Sequence, residues 1–317
     1  MRISIQSVYR FSSWFLAAVM AVGPVPVQVL AQGPITADGR TATNISVSGN
    51  TTDITTQTIS GVNAFNSFEQ FGVLEGQTVN LHLPQGTANL VNTVTGETRT
   101  EIQGTLNSLL ANGEIGGNVF LLNPNGILVG ETGTINVGAL GLSTPAVSFI
   151  DSLFEAVDDP QTSEVRLVPD MNAVSQVLEG NVPLSANGSI VVKGKIHAGW
   201  KAELLSNRVE VGPNALIRLT PEYRVPLEEV VNIQGLESAA DVQVVDEDTI
   251  RIVGKDGVSI EGELAADGNS EKTDGGRISI STAGGEYSTS ETHYEKRPIY
   301  LDENGNETWE VTDTPKM

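Results

Sequence analysis

The stretch from Asn118 to Leu142, NVFLLNPNGILVGETGTINVGALGL, limits what this chain can fold into more than any other. Two apolar runs, Val119–Leu122 and Ile127–Val129, are separated by Asn123-Pro124-Asn125-Gly126, and a third run begins at Ile135. Pro124 fixes its own φ and gives no N–H to a ladder, Gly126 tolerates positive φ, and asparagine side chains bond to nearby backbone. A turn is therefore close to forced, and the flanking runs are separate strands.

The same device recurs along the chain. Thr78-Val79-Asn80-Leu81-His82-Leu83 alternates cleanly before Pro84, and Asn89 to Val94 is a strand closed by Gly96. Thr100 to Leu106 repeats the pattern. Asn44 to Ser48 and Asp53 to Thr55 read as short strands with Ile45, Val47 and Ile54 turned inward. Units of the form Asn/Asp-Gly-strand-Gly-strand begin at Asn187 and Asp256, a spacing that suggests about three solenoid turns of a little over 20 residues each. Short strands at even spacing, glycine or asparagine at corners and no helical alternation predict an all-β fold, a right-handed parallel β-helix with short extra-helical strands or hairpins. An antiparallel sandwich is the alternative. Pro145 to Leu184 breaks the pattern and reads as an excursion, with a short helix or a detour over Val147–Phe154.

Composition bears on address and partners. Arg2 and Arg10, the apolar run Trp14 to Val22 and the small-residue site Val29-Leu30-Ala31 predict a cleaved signal peptide over residues 1–31. Gly23, Pro24 and Pro26 interrupt the run well short of the ~20 residues a spanning helix needs. Cleavage removes two of the 18 basic residues and none of the 39 acidic ones, taking the net charge from −21 to −23. Such a chain repels nucleic acid, and Lys193 and Lys195 are too few for a nucleic-acid stripe. With no cysteine, disulfides and thiolate metal sites are excluded.

Nothing assembles into a catalytic set, and no cofactor or metal is expected. His82, His197 and His293 are scattered, with His82 on the polar side of its strand as a solvated residue. Asp302-Glu303-Asn304-Gly305-Asn306-Glu307 offers alternating oxygen donors, but its glycine falls in the fourth place rather than the sixth of an EF-hand loop. Asn304-Gly305 is explained as a hairpin turn between Arg297–Glu303 and Glu307–Val311. A carbohydrate-active β-helix enzyme, a polysaccharide lyase or hydrolase, would require three or more carboxylates converging in one groove.

With these residues assembled, the chain resembles the amino-terminal secretion domain of filamentous-haemagglutinin-like exoproteins, the passengers of two-partner secretion. The likeness runs through Leu90 to Gly96 and Ile102 to Leu106, peaks at Val119 to Ile127, and continues through Gly130, Ile135 to Gly138 and Leu142 to Thr144. It covers roughly Gly33 to Leu219. The family's upstream asparagine-proline-asparagine motif has no proline here; its nearest counterpart is Asn89, Leu90 and Asn92.

The resemblance implies a secreted, non-enzymatic exoprotein of a Gram-negative bacterium, exported by the Sec route to the surface or beyond. It implies recognition by the periplasmic domains of an outer-membrane transporter, with the β-helix nucleating folding. Adhesion to a host or cell-surface glycan or protein would follow. The implied layout is a signal peptide (1–31), a secretion β-helix (32–220), further coils (221–283) and a hairpin, cap or frayed tail (284–317). Asn123, Pro124, Asn125, Gly126 and Ile127 then form the secretion motif. They read either as a transporter-binding loop or as a solenoid corner, and the corner accounts for every residue type in it.

Overall fold

The computed structural model describes residues 35–158, 165–223, 248–266, 276–282, 286–289, 298–301 and 307–309. The expected signal peptide over residues 1–31 and the expected Asn304-Gly305 turn lie outside the described residues. The alternating stretches become strands that pair in parallel with the strand one coil later, giving a right-handed parallel β-helix with three faces.

The first face stacks Thr51–Thr56, Thr78–His82, Thr105–Leu109 and the start of Thr134–Ser143, then the start of Lys195–Val211, Leu216–Leu219 and Glu263–Ala265. The second stacks Asn63–Gln70, Asn89–Val94 and Asn118–Leu122, followed by the end of Thr134–Ser143, the middle of Lys195–Val211, the start of Thr249–Ile260 and Arg277–Thr282. The third runs from Gly72–Val73 through Thr100–Ile102, Ile127–Val129 and Ser189–Val192 to Glu286–Thr289.

Inward residues form one continuous core. Along one row Val79, Leu106, Ile135, Ile196 and Ile217 are each no more than 1% exposed. Each such side chain contributes about 1.5–3 kcal/mol by leaving water.

Three sequence expectations need correction. The early coils advance by 26 to 29 residues, not the low twenties, because the corners are longer than the strand pattern reveals. The units beginning near Asn187 and Asp256 are two coils apart, Ser189 beside Arg208 and Arg208 beside Gly257, one short and one lengthened by the chain between them. Val47 is 47% exposed rather than inward. It lies beside the Gly49-Asn50 turn of an antiparallel hairpin, Thr43–Ser48 with Thr51–Thr56, on the outermost strand where no coil covers it. That hairpin, with Thr36–Ala37 antiparallel to Asn63–Gln70, blunts the open first coil as an exposed sheet edge requires.

The excursion closes at its base with a Pro145–Leu184 bridge. It contains helix α1 (Val147–Ser152), a hairpin of Phe154–Asp158 with Val165–Pro169, and helix α2 (Met171–Leu178). The Asp170 carboxylate caps α2, accepting from the backbone N–H groups of Asn172 and Ala173 at 2.8 and 3.4 Å. Its apolar side, including Phe149, Ile150, Val174 and Val177, packs on Phe65, Val91, Leu122 and Leu205, outward residues of the second face. The backbone of Pro298–Leu301 pairs antiparallel with Glu307–Trp309.

Candidate functional site: the asparagine corner

The Asn123–Gly126 corner joins the second face to the third. The N–H of Gly126 donates to the Asn123 carbonyl at 3.2 Å, and that of Asn125 to the Asn123 side-chain oxygen at 2.9 Å. The first bond closes a β-turn and the second an Asx turn within it. The Asn123 side chain is 0% exposed, so its polar atoms must be satisfied inside. Its Nδ2 donates to the Thr98 carbonyl and to Thr100 Oγ1, both at 3.0 Å, in the preceding coil. Its backbone N–H donates to the Ser143 carbonyl at 3.0 Å in the following coil. One residue thus ties together three coils.

The other corner residues add to this stitching. Asn125 is exposed, and its Nδ2 donates to the Gly96 carbonyl at 2.7 Å. Gly126 has φ +109°, and a Cβ there would stand 2.9 Å from the Ser189 carbonyl oxygen, so both conformation and space exclude other residues. Pro124 and Ile127 are buried, and Ile127 pairs with Thr100 on one side and Ile190 on the other.

The Asn89, Leu90 and Asn92 segment lies one coil earlier, in register with the strand leading into the corner: Asn89 faces Asn118 and Asn92 faces Leu121. Asn89 belongs to a ladder in which Asn118 donates to Asn89 and Asn89 to Asn63, each at 2.8 Å. Leu90 is in the core. Asn92 points into the interior, accepting from Asn66 at 3.0 Å and donating to the Phe120 carbonyl at 3.2 Å. The two motifs therefore form one hydrogen-bonded block.

Sequence reading missed the charged cluster beneath the excursion. Glu203 is 2% exposed and bonds Arg251 at 2.6 Å, with Lys201 3.4 Å away. Alternation alone would place Glu203 outward in water. His82, expected to be solvated, bonds Asp53 at 2.8 Å, and with the Asn80 amide it holds the Asp53 carboxyl below its usual range. Burial, then the charges of Lys195 and Arg218, depress the His197 pKa.

Amides and packed hydroxyls offer neither a general base nor a nucleophile. A cavity of about 430 Å³ between Gln70–Leu74 and Thr98–Gln103 contains one carboxylate, Glu101, held by Arg99 at 2.7 Å. Among the described residues no three His, Asp or Glu side chains gather closely enough to hold a metal ion.

The chain matches the family described as TPS secretion domain over residues 33–286, a span that continues past Leu219, where the sequence resemblance thins. Among solved structures it is similar to the HMW1 secretion domain from Haemophilus influenzae, at 17% identity and a TM-score of 0.43, covering 78% of this chain and 62% of that one. It is also similar to the filamentous hemagglutinin secretion domain, at 15% identity and a TM-score of 0.40, covering 81% of this chain and 95% of that one. The chain thus spans less than two thirds of the HMW1 domain's length. No curated protein sequence matches it.

Proposed function

The chain belongs to the TPS secretion domain family, and from that membership we propose that its first coils are the part read by a cognate outer-membrane transporter and the nucleus on which the rest folds. The family is one of two-partner secretion exoproteins from Gram-negative cells, engaged by an outer-membrane transporter, and it is not an enzyme family.

The observation that carries the proposal is the Asn123 side chain, wholly buried and bonded to the preceding coil. Asn123, Leu90 and Asn92 are inaccessible once the coils have closed. A partner that reads them does so on the extended chain, by strand addition. Closing the corner then withdraws the motif from the partner, and each later coil stacks on a finished one, so folding opposes backward movement. The signal peptide over residues 1–31 supplies Sec export to the periplasm, and the exported chain serves adhesion.

Secretion measured with and without the partner transporter tests the reading. Export is expected only with the partner, and undiminished export without it would overturn the proposal.

A further inference from the structure

The outward side of the first face repeats one tripeptide on four successive coils: Thr51-Thr52-Asp53, Thr78-Val79-Asn80, Thr105-Leu106-Asn107 and Thr134-Ile135-Asn136. The middle residue of each points inward and is at most 6% exposed. The strands pair in register without a bulge. Thr51, Thr78, Thr105 and Thr134 therefore form one row, and Asp53, Asn80, Asn107 and Asn136 a second beside it. Ser48 and Ser46, on the outermost hairpin strand, extend both rows by one position.

The second row is wired along its length. Asn136 donates to Asn107 at 2.9 Å, Asn107 to Asn80 at 3.1 Å and Asn80 to Asp53 at 3.0 Å. Each asparagine is held in one rotamer yet keeps a hydrogen and a lone pair for an outside partner. The four threonines have no side-chain hydrogen bond among the described residues and carry a methyl beside each hydroxyl. In a chain with 39 acidic residues these rows contain one, Asp53, which is hydrogen-bonded to His82.

Strand geometry sets the spacing at about 4.8 Å between coils and about 6.7 Å between rows. Between Asp53 at one end and Lys195 and His197, which follow Thr134 and Asn136 on the next coil, the face is a hydrogen-bonded grid of neutral side chains repeating in two directions. A soluble ligand is typically held in a concave, aromatic-lined pocket, and these rows consist of threonine, serine, asparagine and aspartate with no aromatic ring. A partner complementary to such a grid is itself planar, neutral, hydroxyl-bearing and periodic in two directions on the same scale. Ice meets all four conditions: its surface oxygens repeat at comparable intervals, threonine hydroxyls and asparagine amides can take lattice positions, and the methyls order water between them. Fixed side chains lose little entropy on contact.

We propose that this Thr/Asn face is an ice-binding surface, a property independent of how the chain is exported. The test is adsorption of the secreted chain to a growing ice front, together with inhibition of ice recrystallisation. Wild type is expected to enter the ice and to hold grain size. Thr105→Lys should lower the activity about tenfold or more with its thermal melt unchanged. Thr78→Val, which keeps the methyl and the strand preference, should lower it in the same direction and serves if the lysine variant does not fold. Val147→Lys, exposed on the excursion, should leave it intact. Exclusion of wild type from ice, equal adsorption by the folded Thr105→Lys and Thr78→Val variants, or retention on microcrystalline cellulose without adsorption to ice would overturn the proposal.

Discussion

Arg251 donates to the buried carboxylate of Glu203 at 2.6 Å from the neighbouring coil, and the same guanidinium reaches the Gly180 carbonyl at 3.5 Å, just past helix α2. Gly180 has φ +67°, and a Cβ there would press on both charged side chains. The pair therefore joins two coils to the excursion. Removing the arginine leaves the buried Glu203 carboxylate with Lys201 as its one remaining cation among the described residues.

Arg251→Met is expected to destabilise the fold by about 2 kcal/mol, less than for a fully buried pair, because the Arg251 side chain is 37% exposed and Lys201 remains near Glu203. Urea melts measure the loss, and limited proteolysis should show earlier cleavage within residues 145–184. The double variant Glu203→Gln/Arg251→Met should recover part of the stability. A double variant no more stable than the single one would contradict the pairing.

Asn123→Asp changes almost no volume but replaces two donors by a carboxylate oxygen facing the Thr98 carbonyl. The expected cost is about 2–4 kcal/mol for lost bonds and an uncompensated buried charge. Gly126→Val should be at least as damaging, since it adds strain at positive φ and a clash with Ser189. Both variants should lose export together with protease resistance. Normal secretion with normal resistance would show that the corner is dispensable.

The Asp53–His82 contact makes an acid-side prediction. The His82 and Asn80 hydrogen bonds lower the Asp53 pKa from its ordinary 3.8. Their contribution is fully present above that value and is lost as pH falls through the lower, folded-state pKa. Asp53→Asn should therefore flatten the stability profile below pH 3.8. An NMR titration of the carboxyl checks the direction of the shift.

His197 works in the same direction at higher pH. Burial and the neighbouring Lys195 and Arg218 lower its pKa from 6.5, so the folded chain takes up this proton later than the unfolded chain. Its contribution is complete above 6.5 and declines as the medium becomes more acidic. His197→Gln should remove that part of the pH dependence, as read from urea midpoints between neutral and mildly acidic buffers.

Local signals were legible where a single strand decides its own environment. Val79, Leu106 and Ile135 alternate with Thr and Asn, and they point inward. Asn123 to Gly126 spells a turn and forms one. Gly49-Asn50 between two alternating stretches also carries a hairpin signal, and the hairpin forms there. Other features depend on residues far away in sequence. Glu203 lies in an ordinary alternating strand, and its burial comes from an excursion that folds back over the second face. The coil period of 26 to 29 residues is not legible either, because strand spacing says little about corner length. Asn89, Leu90 and Asn92 were recognisable as a motif, but their inward and lateral ladders depend on register with Asn63, Asn66 and Asn118.

Refolding in the presence of the transporter's periplasmic domains tests the central claim most directly. The chain is diluted from urea with increasing amounts of those domains, and the gain of protease resistance is followed over time. If the motif is read before the coils close, the domains slow refolding in proportion to their concentration and fail to bind the folded chain. Tight binding to the folded chain with an unchanged refolding rate would contradict it.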